Sequence, residues 1–135
     1  MTQSPAGHTG ELILIVDDNA KNLKLVRDIL QVKGFRTLEA DTAEEGLELA
    51  RAHQPDLILM DIQLPGMDGV TALGQLRADA LTASLKVVAV TAFAMKEEQE
   101  RIMAAGFLAC LTKPLDIRHF PDQVRDFCRD GVVQA

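Results

Sequence analysis

Short apolar runs alternate with amphipathic stretches along most of the chain. Four runs of mainly consecutive apolar residues are typical of strands covered on both faces, at Leu12–Val16, Leu57–Met60, Lys86–Val90 and Leu108–Thr112. The more polar Arg36–Glu39 predicts a strand at the edge of a sheet. The pattern therefore indicates five strands, four of them buried on both sides.

Amphipathic stretches follow each of these runs, with apolar residues every three or four positions. Five strand–helix units in succession predict a doubly wound α/β fold, a parallel sheet with helices on both faces. The predicted helices run from Ala20 to about Lys33 before Gly34, from a capping-type start at Asp41–Glu45, over Gly69–Ala78, over about Met95–Ala105, and after Pro114 with Ile117, Phe120, Val124, Phe127 and Cys128 on one stripe.

Length and composition limit the class of protein. A chain of 135 residues suits one domain, predicted at residues 11–130 between a flexible N-terminal tail at 1–10 and a short C-terminal tail at 131–135. A net charge of −6 argues against nucleic acid or an anionic membrane as partner. No apolar stretch is long enough for a membrane helix, and the N-terminal residues lack a signal-peptide pattern. Cys110 and Cys128 have no C-x-x-C spacing, so a reducing, cytoplasmic setting is expected.

Three carboxylates stand at the ends of two apolar strands. Asp17 and Asp18 follow the first strand, and Asp61 follows the third. Ligands of open α/β sheets bind at the carboxyl ends of the strands, so these acids are expected in one crevice. Close carboxylates repel one another, and a hard divalent cation with oxygen ligands relieves that repulsion. The sequence therefore predicts a site for Mg²⁺ or the similar Mn²⁺.

Two further strand ends carry groups suited to a phosphoryl group. Thr91 closes the fourth strand, and Lys113 follows the fifth and precedes Pro114. A carboxylate such as Asp61 can serve as a nucleophile that forms an acyl phosphate. The ammonium of Lys113 and the hydroxyl of Thr91 could then stabilise the phosphoryl oxygens.

The motifs at these positions resemble the receiver domain of two-component response regulators, over about Leu12–Cys128. Each motif alone is weak, but all four in order are highly specific. They are Ile15-Val16-Asp17-Asp18-Asn19, Met60-Asp61-Ile62-Gln63-Leu64-Pro65-Gly66-Met67-Asp68-Gly69, Val90-Thr91-Ala92 and Thr112-Lys113-Pro114.

The resemblance implies a flavodoxin-like sheet of order 2-1-3-4-5 and a single-domain signalling protein without an effector. It implies that Asp61 accepts phosphate from a phosphohistidine of a sensor kinase or phosphotransfer protein. Asp18 would bind magnesium directly, Asp17 partly through water, and Gln63 through its backbone carbonyl. Thr91 and Lys113 would hold the phosphoryl group. A downstream protein would bind the face of helix four, strand five and helix five.

Cys110 departs from the family pattern, since receivers usually carry Tyr or Phe three residues before the lysine. Phe107 is not expected to replace that ring, because an offset of three along a strand places it on the opposite face. The usual aromatic switch is therefore predicted to be absent. Gln63 and Phe93 hold family positions that tune the access of water to the acyl phosphate.

Two other functions stay open. A receiver that has lost its switch could act as an adaptor that binds partners without phosphate. An aspartyl-phosphate hydrolase would also use a strand-end aspartate and magnesium, but it needs an acid two residues after the nucleophile, where this chain has Gln63. The expectation is thus a non-enzymatic phosphoacceptor that assists its own phosphorylation and dephosphorylation, either free-standing or part of a hybrid kinase.

Overall fold

A computed structural model describes residues 10–92 and 95–129. Strands and helices alternate throughout these residues, as the apolar pattern predicts. The elements are β1 (Leu12–Val16), α1 (Ala20–Val32), β2 (Arg36–Ala40), α2 (Ala43–His53), β3 (Leu57–Asp61), α3 (Gly69–Ala78), β4 (Val87–Thr91), α4 (Lys96–Ala104), β5 (Ala109–Thr112) and α5 (Phe120–Arg129).

The five strands form one parallel sheet in the order β2-β1-β3-β4-β5. The doubly wound fold and its strand order are thus confirmed. The polar β2 lies at an edge, where one side of its backbone needs no strand partner. β1 and β3 are neighbours at the centre, and Val16 is in register with Met60. Asp17, which follows Val16, and Asp61, which follows Met60, are therefore brought side by side.

Successive residues of the central strands enter two separate apolar layers. Leu14 and Ile58 pack with α2, α3 and α4 on one face of the sheet. Ile13 and Leu57 pack with α1 and α5 on the other face. Both faces are covered, which explains why these strands read as continuous apolar runs.

Three side chains cap helices at the edge of the sheet where the strands end. Asn19, Thr42 and Asp68 each accept a hydrogen bond from a backbone N–H in the first turn of α1, α2 and α3. Gly34, with φ of +95°, follows the end of α1. The capping predicted near Asp41–Glu45 is confirmed.

The structure corrects two expectations. Ile117 was predicted on the buried stripe of the fifth helix, but α5 begins at Phe120 and Ile117 is exposed in the preceding loop. Phe107 was placed opposite Cys110, yet both pack in the layer of α2, α3 and α4. The alternation rule fails there because β5 starts only at Ala109, after Gly106 with φ of +113°.

None of the helices described here is long and apolar enough to cross a membrane. Two predictions concern residues outside the described ranges. They are the two tails, apart from Gly10, and the role of Phe93. The domain boundaries therefore stay a prediction.

Candidate functional site

The carboxyl ends of the strands bring the three predicted acids together. Asp17 follows β1, and Asp61 is the last residue of the neighbouring β3. Asp17, Asp18 and Asp61 each offer a carboxylate oxygen, and these oxygens lie within 4.8 Å of one another. Asp17 and Asp61 are buried, whereas Asp18 is exposed at the rim. The cluster is open to solvent on one side.

Lys113 reaches into the cluster from the end of β5. Its Nζ lies 2.9 Å from Oδ2 of Asp61 and 3.3 Å from Oδ2 of Asp17. One ammonium thus balances part of the charge of two buried carboxylates. The Lys113–Pro114 peptide bond is cis.

Backbone N–H groups hold the other oxygen of each buried carboxylate. The N–H of Asn19 donates to Oδ1 of Asp17 at 2.8 Å, and the N–H of Gln63 donates to Oδ1 of Asp61 at 3.0 Å. In both cases the donor lies two residues after the acid, where the chain leaves the strand. The Oδ2 atoms are therefore directed to Lys113, and the carboxylates have fixed orientations.

Burial and charge act in opposite directions on Asp61. Desolvation raises the pKa of this carboxyl group, and the contacts with Lys113 and with the N–H of Gln63 lower it, leaving a pKa above its ordinary value. Burial lowers the pKa of Lys113, but its contacts with Asp61 and Asp17 outweigh that effect and raise it. The pair therefore keeps the lysine charged beside a carboxylate that lacks full solvation.

Thr91 is fully buried at the end of β4. Its carbonyl oxygen accepts a hydrogen bond of 2.8 Å from the N–H of Lys113, and its register partner in β5 is Thr112. The structure thus joins two of the predicted site residues through the backbone of neighbouring strands.

A cleft of about 350 Å³ opens beside the acids. Its polar end contains Asp17, Asp61 and Lys113, and its apolar walls include Leu25 of α1 and Ile117 of the loop before α5. The cleft could not be predicted from the pattern of apolar and polar residues, because its walls come from distant parts of the chain.

The donor set fits a hard divalent cation. All three groups offer carboxylate oxygens, and the exposed Asp18 leaves room for water in the coordination shell. A bound divalent cation would add positive charge beside these three carboxylates, whose negative charge the single ammonium of Lys113 balances only in part. Within residues 10–92 and 95–129 this is the one cluster of three such groups.

The site also bears on the hydrolase alternative. The side chain two residues after Asp61 is the exposed amide of Gln63, which cannot exchange a proton as a general acid or base. The arrangement lacks the second acid at the place where that chemistry requires it.

Sequence and structure comparisons agree on one family. The model of the response regulator receiver domain matches residues 13–125. The polar-differentiation response regulators DivK of Brucella ovis and Brucella anthropi are 42% identical over 119 residues, which cover 88% of this chain and 97% of theirs.

Two solved structures show the same fold. A CheY-like receiver domain protein from Methanospirillum hungatei is 31% identical, with a TM-score of 0.79 over 87% of this chain and 93% of that one. The receiver domain of a sensor histidine kinase from Pseudomonas aeruginosa is 28% identical, with a TM-score of 0.81 over 89% of this chain and 98% of that one. That structure has a magnesium ion coordinated in the active-site cleft.

Proposed function

Because this chain belongs to the response regulator receiver family, we propose that it accepts a phosphoryl group on Asp61 in a magnesium-dependent reaction. The observation that carries the proposal is the position of Asp61, whose buried carboxylate lies 2.9 Å from the ammonium of Lys113 and within 4.8 Å of two further acids. A nucleophile, a cation for the phosphoryl oxygens and metal ligands are thus gathered at one point.

The proposed donor is a phosphohistidine of a sensor kinase or phosphotransfer protein. A carboxylate oxygen of Asp61 forms a bond to phosphorus while the bond from phosphorus to the histidine nitrogen breaks. The electron pair of that bond stays with the imidazole, which takes up a proton and leaves as neutral histidine. Such a donor implies a cytoplasmic location.

The neighbouring residues divide the remaining tasks. Asp17, Asp18, Asp61 and the backbone carbonyl of Gln63 would hold the magnesium ion, which when bound supplies positive charge to the phosphoryl oxygens. Lys113 exchanges its contact with Asp61 for one with the new phosphoryl oxygens. The hydroxyl of Thr91 donates a hydrogen bond to another of these oxygens.

The same groups assist hydrolysis of the acyl phosphate, so the domain limits the lifetime of its own signal. The exposed Gln63 lies two residues after the phosphorylated position, where its side chain influences the approach of water. Residues 11–130 act as one receiver unit in this proposal, and the output passes to a downstream protein at the face formed by α4, β5 and α5.

The proposal is tested by the mass of the intact protein after incubation with acetyl phosphate, with and without magnesium. Wild type gains one phosphoryl group only with magnesium, and Asp61→Asn gains none. Asp41→Asn is the matched control, because Asp41 follows β2 at the same edge of the sheet but lies outside the cluster. An undiminished gain in Asp61→Asn would contradict the proposal.

One observation favours a second candidate, a phosphate-independent adaptor. Cys110 provides no aromatic ring for the usual switch. If wild type gains no mass from acetyl phosphate or from a phosphohistidine donor, this second function replaces the first.

A further inference from the structure

The helix α4 is held to the sheet by few contacts. Its one buried residue is Ile102, and the N-cap residue Met95 makes no side-chain capping hydrogen bond. Met95 and Met103 are exposed. The element that α4 mainly packs against is β5. The position of α4 therefore depends on what joins it to this strand.

A side-chain hydrogen bond makes that connection. Nε2 of Gln99 in α4 donates to Oγ1 of Thr112 in β5 at 3.2 Å, and both side chains are half-buried. Partial shielding from water makes such a bond stronger than one on the open surface.

Thr112 lies directly beside the proposed phosphoryl-binding residue. It is the register partner of Thr91, and residues in register on neighbouring strands direct their side chains to the same face. The N–H of Lys113 also donates to the carbonyl oxygen of Thr91 at 2.8 Å. Thr91, Thr112 and Gln99 thus form a continuous row from the site to α4.

Cys110 carries a small side chain at the position where receivers usually have an aromatic ring, so the row of Thr91, Thr112 and Gln99 has no ring beside it. Cys110 precedes Thr112 by two residues, so both face the layer that contains Ile102. Burial raises the pKa of the Cys110 thiol, which favours its neutral form. Among the described residues, the bond between Gln99 and Thr112 is the only side-chain hydrogen bond that joins α4 to β5.

We propose that the hydrogen bond between Gln99 and Thr112 couples the phosphorylation of Asp61 to the position of α4. This inference rests on the proposed function. When the Thr91 hydroxyl turns to the phosphoryl group, the surroundings of its register partner Thr112 change. The Thr112 hydroxyl shifts with it, and α4 follows through Gln99.

The test is amide hydrogen exchange of the α4 peptide, measured on the unmodified protein and on the protein phosphorylated with acetyl phosphate and magnesium. In wild type, phosphorylation changes the exchange of α4. Thr112→Val keeps the shape and removes the hydroxyl, and Gln99→Ala removes the donor. Each variant reduces the change to less than about half, and the double variant reduces it no further, because both remove one bond.

Gln75→Ala, an exposed glutamine of α3, is the control and keeps the full change. Intact mass of the same samples records phosphorylation separately. Two outcomes would overturn the coupling alone, provided that the protein gains phosphoryl mass normally. Either the exchange of α4 does not change in wild type, or it changes as much in Thr112→Val and Gln99→Ala as in wild type. A wild-type protein that gains no phosphoryl mass from acetyl phosphate or from a phosphohistidine donor would overturn the proposed function and this inference with it.

Discussion

Gly69 lies so close to Asp61 that a Cβ on this glycine would stand 2.6 Å from the backbone carbonyl oxygen of Asp61. The start of α3 is thereby packed directly against the end of β3. The N–H of Gly69 also donates to the carbonyl oxygen of Ile62 at 3.0 Å. A residue that carries no functional group thus fixes the loop that follows Asp61.

Gly69→Ala is expected to lower the free energy of unfolding by about 1–3 kcal/mol, because backbone atoms must move to admit the methyl group. Gly74→Ala in the same helix is the control, since nothing lies within 4 Å of its Cβ position. There alanine should stabilise the protein by about 0.5–1 kcal/mol through its helix preference. Urea unfolding measures both, and equal effects of the two substitutions would contradict the close packing.

Asp18→Ala is expected to weaken magnesium binding about tenfold or more, because it removes a proposed direct ligand at the open rim of the site. Asp41→Ala removes a carboxylate at the same edge of the sheet and should leave the affinity unchanged. Calorimetric titration with Mg²⁺ measures both. Equal affinities of wild type and Asp18→Ala would remove Asp18 from the metal site.

Lys113→Met is expected to slow phosphorylation by acetyl phosphate about a hundredfold, since no ammonium then stabilises the phosphoryl oxygens. The affinity for magnesium should not fall, because the substitution removes an ammonium that competes with the metal ion for Asp17 and Asp61. Phosphorylation rates and magnesium titrations of the same variant separate these two effects. Loss of magnesium binding with an unchanged rate at saturating magnesium would mean that Lys113 serves only to hold the acids.

His119 and Asp116 provide a test of pH dependence in the loop before α5, where Nδ1 of His119 lies 2.6 Å from Oδ2 of Asp116. The contact raises the pKa of His119 above 6.5 and lowers that of Asp116 below 3.8. The contribution of the histidine to the free energy of unfolding is full below pH 6.5 and is lost as the pH rises through its raised pKa. Stabilisation by the aspartate is full above 3.8 and is lost as pH falls through its lowered pKa.

NMR titration of the His119 imidazole should show this raised pKa, and Asp116→Asn should bring it down. Asp122→Asn is the control and should lower it less, because Asp122 contributes the smallest of the effects that raise it. Equal decreases in the two variants would contradict the contact with Asp116.

The strands and the meeting of the acids could be predicted from the sequence because each depends on a local pattern. An apolar run indicates a buried strand, and parallel strands end at one edge of the sheet, which is why Asp17 and Asp61 meet as expected.

Contacts between distant segments could not be predicted in this way. Nothing in the sequence around Gly69 shows that the backbone of Asp61 lies against it, and the spacing of Gln99 and Thr112 does not reveal a hydrogen bond. Phe107 was misplaced because the alternation rule holds only inside a strand, and β5 begins two residues later. Ile117 fitted the helical stripe but precedes the helix.

The most direct test of the central claim is to locate the phosphoryl group itself. Reduction of the phosphorylated protein with borohydride converts an aspartyl phosphate to homoserine, and peptide mass spectrometry identifies the position. The account predicts homoserine at position 61, and only in samples phosphorylated with magnesium present. Homoserine at Asp17 or Asp18, with an unmodified Asp61, would contradict it.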